Sequence, residues 1–444
     1  MLADSVFDLS VFIDRRKRLI ETIGPDSLLI LPAAPERQRG RDSFYPYQQD
    51  ADFRYLCGFP EPHAVLVICP EHSEHPVVLF CQPRDPVREL WEGRRIGQAN
   101  AVADYGVDAA FAIDALDQML PDLLQGRTTV YYPMARERDF DHRVIGWLTA
   151  LRVQRRSVAD IPHQIADCAP LLHPMRMRKT PAERAVLRRA AQISMEGQRA
   201  AMRCVQAGVA EYALQAEIER VFCQHGASPA YNTIVGAGEN ACVLHYQTNR
   251  SQCQSGDLVL VDAGAQWCGY AGDITRTFPV DGRFSPEQRA LYTIVEDMHA
   301  AALAQVKPNH PFASIHTAAV TVLTEGLLRL GVITGQLDQA IQAGLYRPYY
   351  PHKTSHWLGL DVHDVGEYGS EGQPCLLEEG MVLTIEPGIY IAPDASQVQP
   401  RWRGIGIRLE DDVAVTATGH EVLTAPLERS ADAIEAYMAE HHSR

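Results

Sequence analysis

The sequence predicts two domains of different class: an α/β domain over residues 1–173 and an α+β domain with an antiparallel sheet over 174–444. Three observations carry that prediction. Up to about residue 170, short apolar runs alternate with helical stretches, as in a layer covered on both faces. Near residues 172–180, in LLHPMRMRKTP, the alternation stops at a helix-start signal. Beyond it, long helices are followed by period-two segments joined by Gly-rich turns, the pattern of antiparallel strands. At 444 residues the chain is long enough for two or three domains.

In the first domain SLLILPAA (27–34), HAVLVICP (63–70) and HPVVLFCQP (75–83) read as buried strands, and VIGWLTALRV (144–153) as a helix. LWEGRRIG (90–97) is a polar segment between them. In the second domain Thr180-Pro181-Ala182-Glu183 offers an N-cap, a proline at the first helical position and a capping-box glutamate. The helix it opens places Val186, Ala190, Ile193, Gly197, Ala200 and Cys204 on one stripe and is expected to end at Gly208. Ser285-Pro286-Glu287-Gln288 opens a second helix by the same device. GDLVLVDAG, YAGDITRTFPVDG, MVLTIEPGIYI and GIGIRLEDDVAVTATG supply the strands. No repeat of 20 to 50 residues points to a solenoid or propeller.

Composition narrows the function. The 41 Lys+Arg against 56 Asp+Glu leave a net charge of −15, which opposes nucleic acid and anionic membrane surfaces as main partners. The basic run Arg15-Arg16-Lys17-Arg18 is flanked by Asp14 and Glu21 and reads as a solvated helix face. No stretch approaches the roughly 20 apolar residues of a membrane span. The N-terminal cations follow the apolar part, the reverse of a secretion signal. Ten cysteines lie no closer than Cys242 and Cys253, with no CxxC pair, as expected of free thiols in the cytoplasm.

Two motifs are set aside. Gly236-Ala237-Gly238-Glu239-Asn240-Ala241 matches a dinucleotide fingerprint, but TIVGAGENACVLHY reads as strand-turn-strand where a helix is required. His352 and His356 stand four apart, but Lys353 occupies the place of the zincin glutamate. Ser355 beside His356 has no GxSxG elbow, so serine hydrolysis is not indicated.

The acids carry the functional signal. Alternation puts Asp262 on the buried face of Leu258 and Leu260. A hairpin centred between Trp267 and Cys268 would set Asp262 directly opposite Asp273, and like charges so placed repel unless a cation sits between them. Glu386 shares a face with Val382 and Thr384 in an apolar strand, and Arg408 and Glu410 share a face of GIGIRLEDDV. Four strand-borne acids and His356 exceed what ion pairing to Arg408 can satisfy; paired divalent metals can satisfy them. Such a mostly hard oxygen site suits Mn²⁺ and tolerates Co²⁺, Fe²⁺ or Zn²⁺.

VDAGAQWCGYAGDITRTF, HWLGLDVHDVG, TIEPGIY and GIGIRLEDD together resemble the metal-binding segments of the pita-bread metallopeptidases. Within that group the chain is most similar, over essentially its whole length, to the bacterial Xaa-Pro aminopeptidases (aminopeptidase P). The resemblance implies a pita-bread catalytic domain with a curved sheet, two divalent metals (Mn²⁺), and release of the residue before proline. It implies Asp262, Asp273, His356, Glu386 and Glu410 as metal ligands, with Asp273 and Glu410 bridging. Glu386 would be the general base toward an activated water. His245, His352 and His363 would assist at the substrate carbonyl or move protons. Arg408 would hold the ligands in place, and Tyr390 with His352 would form the proline pocket. Trp91, in the N-terminal domain, resembles a residue that closes a neighbouring subunit's site, its alternative being core packing. That domain would serve in oligomerisation, as a dimer or tetramer. The nearest rival is a prolidase with the same metals, restricted to Xaa-Pro dipeptides; a non-catalytic binding protein on this fold would have lost ligands, and all five are present.

Overall fold

Apolar runs become strands where the sequence places them. The computed structural model describes residues 6–442 apart from 73, 155, 156, 158–160 and 371. The chain divides into two compact units, Met1–Met175 and Arg176–Arg444.

In the first unit Ser27–Pro32, Val65–Ile68 and Val77–Cys81 form the middle of a six-stranded sheet. Its order is Ala109–Ala112, Val77–Cys81, Val65–Ile68, Ser27–Pro32, Thr129–Tyr131, Gln164–Ala166. The central pairs are antiparallel and the outer pairs parallel. The three central strands are almost wholly buried, which is why their sequences lack alternation. The basic run departs from expectation. Arg15 and Arg16 are buried, and Arg16 donates to the carbonyls of Leu56, Tyr105 and Gly106, because the helix Leu9–Ile23 packs where two other helices, Ala51–Cys57 and Gly97–Tyr105, end.

In the second unit both capping boxes form, Thr180 with Glu183 and Ser285 with Gln288, opening the helices Pro181–Cys204 and Pro286–Leu303. The first helix stops at Cys204, ahead of Gly208, when Val205 turns extended. Its apolar stripe is buried except for Cys204, the last helical residue, which is exposed. All named strand pairs of this unit are antiparallel. Ile234–Ala237, Leu258–Asp262 and Thr275–Pro279 make one sheet. Val382–Ile385 pairs with Asp411–Val415, and Gly388–Ile391 with Ile405–Arg408. The segment expected to be strand-turn-strand differs: Ile234–Ala237 runs into a 3₁₀ helix, Gly238–Cys242, since Gly238 (φ 56°) turns the chain left-handed.

Candidate metal centre

Asp262 ends a strand in which Leu258, Val259, Leu260 and Val261 are buried. The hairpin that follows turns at Cys268 and Gly269, both with positive φ (49° and 84°), the primed geometry that matches strand twist. Trp267 therefore pairs with Tyr270, and Asp262 pairs with Thr275 rather than Asp273. The expected register is corrected by two residues, because the turn is centred one residue later. A shift of two keeps side-chain parity, and the acids still converge. They meet at Tyr231, whose hydroxyl lies 2.6 Å from an oxygen of each.

The glutamates depart from expectation in another way. Glu386 does not sit in mid-strand; the strand is broken at Glu386-Pro387, between Val382–Ile385 and Gly388–Ile391. The facing segment breaks at Leu409-Glu410, between Ile405–Arg408 and Asp411–Val415. Pro387 has no N–H for a ladder. Glu386 instead donates its N–H to the Thr354 carbonyl (2.8 Å), and Glu410 donates to the Thr275 carbonyl (3.0 Å). Each glutamate is thereby pinned to a neighbouring segment that also borders the acids.

His356 donates Nδ1–H to its neighbour Trp357's carbonyl (3.0 Å), which turns Nε2 toward Asp273 (3.3 Å) and Glu386 (3.7 Å). Asp273, His356 and Glu410 offer ligand atoms all within 4.8 Å of one another. Arg408, buried, donates to Asp262 (2.5 Å), Thr275 Oγ1 (3.0 Å) and the Tyr390 hydroxyl (2.9 Å). The Tyr390 hydroxyl donates to His352 Nε2 (2.9 Å), while His352 Nδ1 faces the Lys353 carbonyl (2.7 Å). Thr275 donates to Glu410 (2.7 Å), and the Asp273 N–H is held by Asp412.

The charges do not balance within the protein. Burial, with Asp273, Glu386 and Asp262 close by, holds the Glu410 carboxyl well above its ordinary range despite Arg408. Burial likewise raises Glu386 to about 7 against the pull of His356 and Arg408. For His356 burial opposes charge, but Asp273 and Glu386 prevail and push it up to about 9. Protons thus stand where positive charge is wanted. A donor set of carboxylates and one imidazole nitrogen, its proton displaced, fits divalent cations.

The cluster opens into a cavity of about 980 Å³ that contains all five candidate ligands. His245, His352 and His363 line it too, and the His363 ring packs 4.2 Å from that of His356. Comparison with known proteins decides the family. Residues 185–417 match the model of metallopeptidase family M24, and residues 12–131 that of the aminopeptidase P N-terminal domain. The chain belongs to metallopeptidase family M24.

The M24 chain is 46% identical over 426 residues to the Xaa-Pro aminopeptidase of Escherichia coli (strain K12), covering 96% of each. Its fold matches the structure of Pseudomonas aeruginosa aminopeptidase PepP with a TM-score of 0.97, at 46% identity and 99% of each chain. It matches E. coli aminopeptidase P with the inhibitor Pro-Leu at 0.95, at 44% identity, over 99% of this chain and 100% of that one. The fold is an aminopeptidase P N-terminal domain followed by a pita-bread domain, and the protein is a metal-dependent exopeptidase.

Trp91 is not among the residues that line the cavity. It lies in the first unit, on the short helix Pro86–Glu92, and is 83% exposed, so it is not core. Sequence reasoning missed Tyr231, Thr275 and Asp412. A lone tyrosine in SPAYNTIVG gives no signal; Asp412 belongs to the same Asp-Asp pair as Asp411, which is buried behind the site against Arg276 (2.7 Å) and His299 (3.1 Å).

Proposed function

We propose that this M24 metallopeptidase releases the N-terminal residue from peptides with proline in second position, using two divalent ions, Mn²⁺ by preference. The observation that carries the reading is the convergence of Asp273, His356 and Glu410 within 4.8 Å in the same cavity as Asp262 and Glu386. Asp262, Asp273, His356, Glu386 and Glu410 would hold the metals. Bound there, divalent ions would make water nucleophilic near neutral pH and polarise the scissile carbonyl.

The chain's own residues supply the rest. Glu386, half-buried at the edge of the cluster and lining the cavity, is placed to take a proton from the attacking water and return it to the leaving nitrogen. His245 and His363 face the cavity on the His356 side and can donate to a developing oxyanion. Arg408 fixes Asp262 and, through Tyr390, the His352 ring, where a pyrrolidine would pack. The bond before proline is a tertiary amide without N–H, so a site that grips by shape can accept what N–H-binding peptidases refuse. We place the enzyme in the cytoplasm, consistent with ten free thiols, and as a dimer or tetramer joined through the first unit, with Trp91 reaching a partner.

The test is a metal-stripped sample refilled with Mn²⁺ and given Ala-Pro and Ala-Pro-Ala, products read by mass. Release of Ala from the tripeptide is expected. Cleavage of the dipeptide alone would make it a prolidase, and cleavage of neither would overturn the reading.

A further inference from the structure

The HKTSH segment holds a residue that the chemistry above leaves idle. Lys353 is exposed, lines the cavity, and has no carboxylate within ion-pair distance among the described residues. Next to it on the same wall, at the start of the helix Ala313–Arg329, stands His316.

The hydrogen bonds fix the His316 tautomer. Tyr350's hydroxyl lies 2.7 Å from Thr354 Oγ1, its one acceptor among the described residues. Thr354 has a single proton, and with the Tyr350 proton already at its oxygen, its own goes to His316 Nδ1 (2.8 Å). Burial, aided by Lys353, pushes the His316 pKa down to about 4, so the ring is neutral and its proton sits on Nε2. That N–H has no protein acceptor among the described residues. His352 differs, since both its nitrogens are engaged, with Tyr390 and the Lys353 carbonyl.

A run of contacts links the acids to His316. His352 lies 3.5 Å from Glu386, Tyr350 packs 4.8 Å from His352, and His316 packs 5.7 Å from Tyr350. An exopeptidase holds its substrate's first residue at the acids, so only the part of the peptide after proline can reach this wall. An internal carbonyl there would satisfy His316 and leave Lys353 without a counter-charge. A carboxylate satisfies both, since its two oxygens accept from a cation and an N–H at once.

Resting on the aminopeptidase reading, we propose that Lys353 and His316 bind the free C-terminal carboxylate of short peptides, so that the enzyme favours substrates of three or four residues. The test compares Ala-Pro-Ala with Ala-Pro-Ala-amide on the Mn²⁺-loaded enzyme and on Lys353→Gln and His316→Phe. Wild type is expected to favour the acid about fivefold in kcat/KM, through KM, with the preference shrinking as salt is added. Each variant should lower the acid's kcat/KM toward that of the amide, with circular dichroism unchanged. Equal use of acid and amide by wild type would overturn the proposal and leave the aminopeptidase reading standing, as would variants that slow both substrates alike. Cleavage of neither by wild type would overturn both.

Discussion

Glu386 and His356 sit 3.7 Å apart with opposite needs, and the pH dependence of the metal-free protein follows from them. Folding raises Glu386 from 4.5 to about 7 and His356 from 6.5 to about 9, so both hold protons more tightly folded than unfolded. Their contribution is fully present at low pH; that of Glu386 is lost as pH rises through about 7, and that of His356 through about 9. Thermal melts of stripped protein should show stability falling from pH 5 to 9. Refilling with Mn²⁺ should flatten the curve, because the cations replace those protons. Glu386→Gln should cost about 10²- to 10⁴-fold in kcat while circular dichroism stays unchanged; retained turnover would exclude Glu386 as the base. Arg408→Leu should be worse for stability than for shape. It leaves the buried Asp262 without its cation, at about 3 kcal/mol in metal-free protein, measured by denaturant unfolding.

At the scale of elements, the hairpin between Asp262 and Asp273 is closed by a backbone approach with no room for a side chain. A Cβ on Gly264 would stand 1.7 Å from the Gly272 carbonyl oxygen. Gly264→Ala should therefore cost about 1–3 kcal/mol and weaken metal retention, as read by melts and by metal content after dialysis. What was legible in the sequence depended on range. Capping boxes are local, and Thr180-Glu183 and Ser285-Gln288 form as read. Period-two alternation tells which face Asp262 takes, since parity survives a two-residue slip, but not that its partner is Thr275; the turn chemistry of Cys268-Gly269 decides that. The paired breaks at Glu386-Pro387 and Leu409-Glu410 were hidden because each apolar run reads as one strand until its two halves find different partners. Tyr231 was invisible, since its hydroxyl acts on residues 31 and 42 positions away.

Over the whole molecule, the two units should answer metal differently. The candidate ligands all lie in Arg176–Arg444, so stripping should lower that unit's transition and leave the transition of Met1–Met175 in place. With metal at a hundredfold its dissociation constant, linkage is worth about 2.7 kcal/mol, or roughly 5–10 °C for a unit of this size. Scanning calorimetry with and without Mn²⁺ would read both. The spacing of Asp262, Asp273, His356 and Glu410 along the chain has one more consequence, in time rather than space. Asp262 and Glu410 are 148 residues apart (410 − 262), which at about 5–20 residues per second is some 7–30 s of synthesis. Throughout that interval a growing chain carries repelling acids with nothing to close the cage. On the proposed ligand set, a copy that has not yet reached Glu410 should be unable to trim the nascent chains around it.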